Sequence, residues 1–331
     1  MAQFTYTGLL NRTMEIYEQH GSAEAYHFIT EHQADGIGNP AQVYNLRYSL
    51  AAAADMHDEA LQLLREAIEQ HEYWYSAEYL LEEETLEPLR HDPEFQRLIG
   101  ICRARETQAM SESSAKLNIV LPDQEKPAAA FHTIFVLHGE QENMDIVQPY
   151  WSSLLDREYK LALLQSSQIQ FTGAYDWIDI DTGMDELKQS MEELARIDNP
   201  QMEIRDCLLP ENALPSGKRP ILAGFSAGAR VAMNTAAEYS SGVRGMILVA
   251  PWMPDREEWE LGLNAWKEHG VKMYIICGES DEECMPGAQE LVEALDFKGI
   301  PYVFKNVTGL GHDYPAHFNQ ILQEAVAFIE G

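Results

Sequence analysis

Basic side chains are scarce. The chain carries 23 lysines and arginines against 54 aspartates and glutamates, a formal net charge of −31. A surface of that sign repels nucleic acid and anionic lipid, so neither is expected as a partner. No Lys/Arg cluster offers a strongly anionic substrate a local exception. Long apolar runs are missing as well: no stretch of 18 or more apolar residues exists, and no membrane span is expected. The start, Met1-Ala2-Gln3-Phe4-Thr5-Tyr6, has neither a charged n-region nor an apolar h-region, so no secretory signal is expected either. There are only four cysteines, Cys102, Cys207, Cys277 and Cys284, and their spacing does not suit a metal. The chain reads as cytoplasmic, with those thiols free. Cys277, inside an apolar run, reads as a small core residue.

The first hundred residues lack strand-like alternation and have little glycine, but they do have helical periodicity. Tyr44, Ala51, Ala60, Leu64 and Ala67 stand at spacings that resemble the tetratricopeptide repeat, whose small residues let paired helices pack closely. An earlier copy falls on Ala25 and Ile29, 35 residues before Ala60 and Leu64. The repeat is usually about 34 residues long. Asp92 and Pro93 read as the N-cap and first position of a further helix. An unrelated small helical bundle is the alternative, with Tyr73, Trp74, Tyr75 and Tyr79 as packing residues. Three roles are open to this segment: recruiting a protein partner, self-association, or covering a site elsewhere. The polar run 106–116 marks the expected junction between a helical domain, 1–110, and a second domain, 115–331.

The second domain alternates apolar runs with helical stretches, which predicts a mostly parallel αβα sandwich. Strands are expected near 116–121, 132–138, 160–165, 220–225, 244–250, 271–277 and 300–304. The fourth runs straight into Gly224-Phe225-Ser226-Ala227-Gly228. Glycines flanking a serine at a strand-to-helix turn relieve a crowded backbone and lift the hydroxyl clear of the sheet. The next amide, that of Ala227, then opens a helix, where developing negative charge is stabilised.

A serine hydroxyl needs a base and a group to orient that base. Asp281 follows the apolar run Val271–Cys277, with Glu279 as the reserve carboxylate. His312 sits in the tight loop Thr308-Gly309-Leu310-Gly311-His312 after Ile300–Phe304. The strand Thr133–Leu137 ends in His138-Gly139-Glu140-Gln141. This loop suits a second oxyanion donor, so the backbone amides of Glu140 and Ala227 are the expected pair. His138 reads as a structural strand-end residue.

These segments together resemble the α/β-hydrolase superfamily over residues 115–331, and most closely its phospholipase/carboxylesterase branch. Leu163–Gln168, Ala174-Tyr175-Asp176-Trp177 and Ala250-Pro251-Trp252-Met253-Pro254 add to the likeness. Two departures stand out. Glu140-Gln141-Glu142-Asn143 replaces the usual small residues after His-Gly, and Ala227 stands where many members carry glutamine. The resemblance implies ester or thioester hydrolysis by Ser226, His312 and Asp281, with no metal or organic cofactor. Lids in the superfamily commonly follow the strand ending near Val249. Here only the twenty residues from Pro251 to Val271 are available, and Asp255–Glu268 reads as a helix, so no cap domain fits. Phe171, Tyr175, Trp177, Trp252 and Tyr314 are expected as an aromatic rim for an acyl or aryl group, with plain packing the alternative for each. A carboxylesterase is the leading reading. An acyl thioesterase, a peptidase, or an interaction module on a hydrolase scaffold are the others.

Overall fold

The computed structural model describes residues 4–32, 38–198 and 219–331. Cys207 and the irregular tail expected around Pro200, Pro210 and Pro215 lie outside them. The chain forms two compact units, one of Met1–Ser114 with Ser167–Asp176, the other of Ala115–Ser166 with Trp177–Gly331.

In the first unit, helices α1 (Tyr6–His20), α2 (Ser22–His32), α3 (Pro40–Ala53) and α4 (His57–Arg65) are followed by α5 (Ala77–Glu82) and α6 (Pro93–Glu112). Ala25, Ile29, Ala51, Ala60, Leu64 and Ala67 are all fully buried in its core. Asp92 caps α6 by accepting from the amides of Glu94 at 2.7 Å and Phe95 at 3.2 Å, with Pro93 at the first position. The helix then runs through 106–112, where the sequence suggested a linker. Tertiary hydrogen bonds hold this polar stretch. Glu106 accepts from the Ala77 amide at 3.0 Å, and the Arg105 guanidinium donates to the carbonyls of Ile68 and Tyr73.

The second unit is built on a seven-stranded sheet. Strands β1 (Lys116–Val120), β2 (His132–Leu137) and β3 (Tyr159–Gln165) come first, with α7 (Met144–Trp151) between β2 and β3. After β3 the chain leaves this unit as the hairpin β4 (Gln168–Phe171) and β5 (Ala174–Asp176), which folds with the helices of the first. Thr172 and Trp74 exchange hydrogen bonds there, Thr172 N–H to the Trp74 carbonyl at 3.1 Å and Trp74 N–H to Thr172 Oγ1 at 2.8 Å. The boundary expected at 110–115 therefore leaves out a second segment of the helical unit. The hairpin buries Phe171 and Ala174 among that unit's apolar side chains.

The chain returns as α8 (Ile180–Asp198), then β6 (Ile221–Phe225), α9 (Ala227–Glu238), β7 (Gly245–Val249), α10 (Arg256–Glu260), α11 (Gly262–His269), β8 (Lys272–Gly278), α12 (Met285–Lys298), β9 (Tyr302–Val307) and α13 (Phe318–Glu330). The sheet order is β1-β3-β2-β6-β7-β8-β9, parallel except for β1 against β3. This is the mostly parallel αβα sandwich expected from the sequence. Alternate side chains of each central strand enter opposite layers, as a pleated strand requires. Phe135, Leu137, Leu222, Met246 and Ile275 face the layer of α8, α9, α11 and α12. Ile134, Val136, Ala223, Ile247 and Tyr274 face that of α7 and α13. Both sheet faces are covered, so the strands read as nearly continuous apolar runs. The single helix expected over 255–268 is split in two at Leu261, and Gly262, which opens the second helix, has no Cβ to meet Ala237 and Trp266. Among the described residues, no helix is long and apolar enough to cross a membrane.

At the carboxyl end of β8, a Cβ on Gly278 would lie 2.2 Å from the Leu310 carbonyl oxygen and 2.3 Å from that of Gly311. These are backbone atoms of the loop carrying His312 and cannot rotate away. Gly278→Ala is therefore expected to destabilise the second unit by about 1–3 kcal/mol, the usual cost of overpacking, and to displace that loop. Thermal denaturation checks this, and an unchanged Tm would contradict it.

Candidate active site

The turn between β6 and α9 is strained where the sequence places its serine. Ser226 adopts φ 52° and ψ −119°, a conformation that costs a non-glycine residue about 1–3 kcal/mol. Both flanking glycines are required sterically. A Cβ on Gly224 would meet the backbone of Gly228 and Ala229 at 2.5–2.6 Å, and one on Gly228 would meet the His138 carbonyl oxygen at 2.3 Å. The turn is braced by Ser226 N–H donating to the Val249 carbonyl at 2.9 Å, and by the Ser226 carbonyl accepting from Trp252 N–H at 3.3 Å.

The structure brings together the three side chains singled out in the sequence. His312 Nε2 lies 3.0 Å from Ser226 Oγ, and Nδ1 lies 2.9 Å from Asp281 Oδ2. A carboxylate facing Nδ1 assigns the proton to that nitrogen, which leaves the Nε2 lone pair for the serine hydroxyl. Asp281 is buried and its Oδ1 accepts from the Cys284 amide at 3.0 Å. Glu279, the reserve carboxylate, instead accepts from the Gly309 amide at 3.3 Å, which ties the His312 loop to the turn after β8.

Burial opposes charge on the His312 imidazole. The hydrogen bond and charge of Asp281 outweigh it, with Glu283 and Glu142 adding, so the pKa is raised above the ordinary imidazole value. The Asp281 carboxyl moves the other way. Burial pushes it up, but His312 and the amides of Cys284 and Glu283 hold it below its ordinary value.

Behind the serine, β2 ends in a wall that is fixed in place. His138 is fully buried, and burial drives its pKa down to about 4, which keeps it neutral. Its Nε2 accepts from the Ser166 amide at 3.2 Å, so Nδ1 carries the proton and donates to the Gly139 carbonyl at 2.7 Å. The Trp177 ring stacks on it at 4.8 Å and donates its Nε1–H to the His138 carbonyl at 2.9 Å. Gly139 has no room for a Cβ, which would sit 2.7 Å from the Phe225 ring. Its amide donates to the buried Glu142 carboxylate at 2.9 Å. Glu140 occupies the turn between Gly139 and Gln141, itself at φ 56°, with its side chain exposed. Ala227 is buried at the start of α9.

The five aromatic residues expected as a rim do not share one place. Phe171 is buried in the helical unit, with its ring 5.9 Å from that of Tyr75, and Tyr175 lies in the same unit's hairpin. Trp177 is packed against His138. Tyr314 is buried and stacks on Tyr150 at 4.0 Å and on Phe225 at 4.6 Å. Trp252 is the most exposed of the five, at 39%, and its ring lies against the Arg230 guanidinium at 4.9 Å. Arg230 is in turn paired with Glu258.

Two residues near the relay were not singled out from the sequence as part of it. Glu142 carried one signal, a carboxylate three residues beyond Gly139. Cys284, whose Sγ lies 3.5 Å from His312 Nδ1, carried none, because only the turn after β8 brings it there.

Residues 5–110 match the family described as A/B hydrolase-like, N-terminal domain. Over 99% of its length the chain is similar to all of an uncharacterized protein from Bacillus cereus ATCC 10987, at 39% identity and a TM-score of 0.53. A Bacillus cereus carboxylesterase aligns with 68% of this chain and 98% of its own, at 16% identity and a TM-score of 0.46. Zea mays acyl-protein thioesterase 2 aligns with 65% and 99%, at 18% identity and a TM-score of 0.45. No curated protein matches the chain.

In an NMR titration the His312 ring is expected to titrate above the ordinary imidazole value of about 6.5. Glu142→Gln is expected to lower that midpoint, by less than Asp281→Asn does, because Glu142 acts through charge alone and Asp281 also through a hydrogen bond. A midpoint unmoved by Glu142→Gln would show that its charge does not reach the ring.

Proposed function

We propose that this chain, which belongs to the α/β hydrolases, is a serine hydrolase cleaving carboxylic esters through an acyl-enzyme. The observation that carries this reading is the unbroken relay from Ser226 Oγ through His312 to the Asp281 carboxylate, at 3.0 and 2.9 Å. Ser226 Oγ attacks the ester carbonyl while His312 Nε2 takes its proton, and the imidazolium then protonates the leaving alcohol. Water repeats the sequence on the acyl-enzyme. Asp281 keeps Nδ1 protonated and stabilises the imidazolium. The amides of Ala227 and Glu140 are assigned to the tetrahedral oxyanion. Gly139 does not compete for that role, because its own amide is engaged by Glu142. Trp252 is the one rim aromatic we retain for substrate contact.

Thioesters would use the same apparatus, and leaving-group preference separates the two. A panel of acyl esters and thioesters of graded chain length measures that preference. Ser226→Ala is expected to lower kcat on a short-chain p-nitrophenyl ester by roughly 10⁶-fold, as loss of the nucleophile does elsewhere, and to abolish labelling by a fluorophosphonate. Retained turnover or labelling in a folded variant would refute the assignment, and an unlabelled wild-type chain would favour a binding module.

Only neutral His312 can accept the serine proton. Its folded pKa is raised, so activity is present above that pKa and lost as pH falls through it. The acid limb of kcat/KM is expected to have its midpoint above the ordinary imidazole value. A midpoint below it would contradict the environment described for His312.

A further inference from the structure

One side chain beside the relay is left without a part in the proposed reaction. Cys284, the residue just before α12, is buried, and burial pushes its thiol well above its ordinary pKa, so it is not a nucleophile. Its position is nevertheless specific. Asp281, Cys284 and His312 each offer one ligand atom, and those atoms lie within 4.8 Å of one another. Two of the separations are 3.5 Å, Cys284 Sγ to His312 Nδ1, and 2.9 Å, His312 Nδ1 to Asp281 Oδ2. Zinc bonds of ~2.3 Å to sulfur and ~2.05 Å to nitrogen, at a tetrahedral angle, put those two ligand atoms about 3.5 Å apart. Sulfur and nitrogen already stand at that separation. A small opening between nitrogen and carboxylate completes a three-ligand site with a fourth position for water.

We propose that Asp281, Cys284 and His312 form an inhibitory site for a thiophilic divalent cation such as Zn²⁺. Thiolate, imidazole and carboxylate together suit zinc and not the hard oxygen-seeking cations. Bonds form from the metal to Sγ, Nδ1 and a carboxylate oxygen as waters leave the aqua ion. The thiol proton goes to solvent, and the imidazole proton moves from Nδ1 to Nε2. That transfer is the inhibitory step. An imidazole protonated on Nε2 has no lone pair for the serine hydroxyl and is in the wrong tautomer for a base. Entry is from the side of His312, whose side chain is 28% exposed while that of Asp281 is 1% exposed. The inhibition rests on the proposed hydrolase function, but the binding does not.

Two measurements on the full chain test this, Zn²⁺ titration of ester hydrolysis and the thiolate-to-cobalt charge-transfer absorption with Co²⁺ alone. Zn²⁺ is expected to inhibit reversibly, with activity restored by a chelator. In Cys284→Ala, which keeps the backbone amide that Asp281 uses, the uninhibited rate is expected to persist and the inhibition constant to rise by roughly tenfold or more, the scale on which lost metal-site interactions weaken binding. The cobalt–thiolate band is expected in the wild type and absent from the variant. Equal zinc sensitivity in the two proteins, no inhibition of the wild type, or no thiolate band would each overturn the site. If Cys284→Ala does not fold, the near-isosteric Cys284→Ser serves in the same two measurements. A thiolate band in a chain that hydrolyses no ester would keep the metal site and sink the hydrolase reading. Hydrolysis without the band would do the reverse.

Discussion

At the end of β2 the backbone of α9 comes so close that the Gly228 Cα faces the His138 carbonyl with no space for a methyl group. The rest of the candidate site depends on this approach. It sets the first turn of a helix beside the loop after β2. It also forces the preceding residue into left-handed backbone, so that a serine hydroxyl projects from the sheet edge. The strain is held by the sheet, since Ser226 N–H continues the β6–β7 ladder to Val249 and Ala250 N–H reaches the Ile276 carbonyl at 2.7 Å. Ala250, the next residue along that edge, is itself at φ 42°. Among the described residues, three of the six non-glycine positions at positive φ, Gln141, Ser226 and Ala250, lie at the carboxyl edge of the sheet.

Environment gives the two histidines of this edge opposite characters. His138 is packed against a tryptophan ring and backbone groups, and burial outweighs its bond to the Gly139 backbone, so it stays neutral as a structural bracket. His312 is also largely buried, yet a hydrogen-bonded carboxylate outweighs the burial and poises it to accept a proton. Among the carboxylates that act on this ring are Asp281, Glu283 and Glu142. Asp281 and Glu142 are both buried and both accept backbone amides, which fixes their positions. The same packing sets a cysteine sulfur against Nδ1, where a soft cation would reverse the tautomer the relay needs.

The local part of this organisation was legible in the residues. A parallel sheet covered on both faces leaves long apolar runs, so six of the seven strands of the sheet could be placed to within a residue, while the last, expected at 300–304, runs Tyr302–Val307. The glycine–serine turn and the tight loop around Gly309 and Gly311 announce themselves because only glycine tolerates such crowding. The polar end of α6 was not legible. It lacks an apolar stripe, and what holds it is hydrogen bonding to residues about thirty positions away in sequence. The aromatic rim failed to assemble for a related reason. An aromatic residue near a strand end fills whatever space adjoins it, and for Trp177 and Tyr314 that space is the core.

The sequence by itself determined the order of strands and helices, the elbow, and which serine, histidine and carboxylate could cooperate, because each leaves a short-range steric or periodic mark. Only the tertiary structure decided that residues 167–176 fold with the helices and that Cys284 faces the imidazole. Those contacts join segments whose meeting depends on how the sheet twists and the loops close, and no local pattern of residues records that.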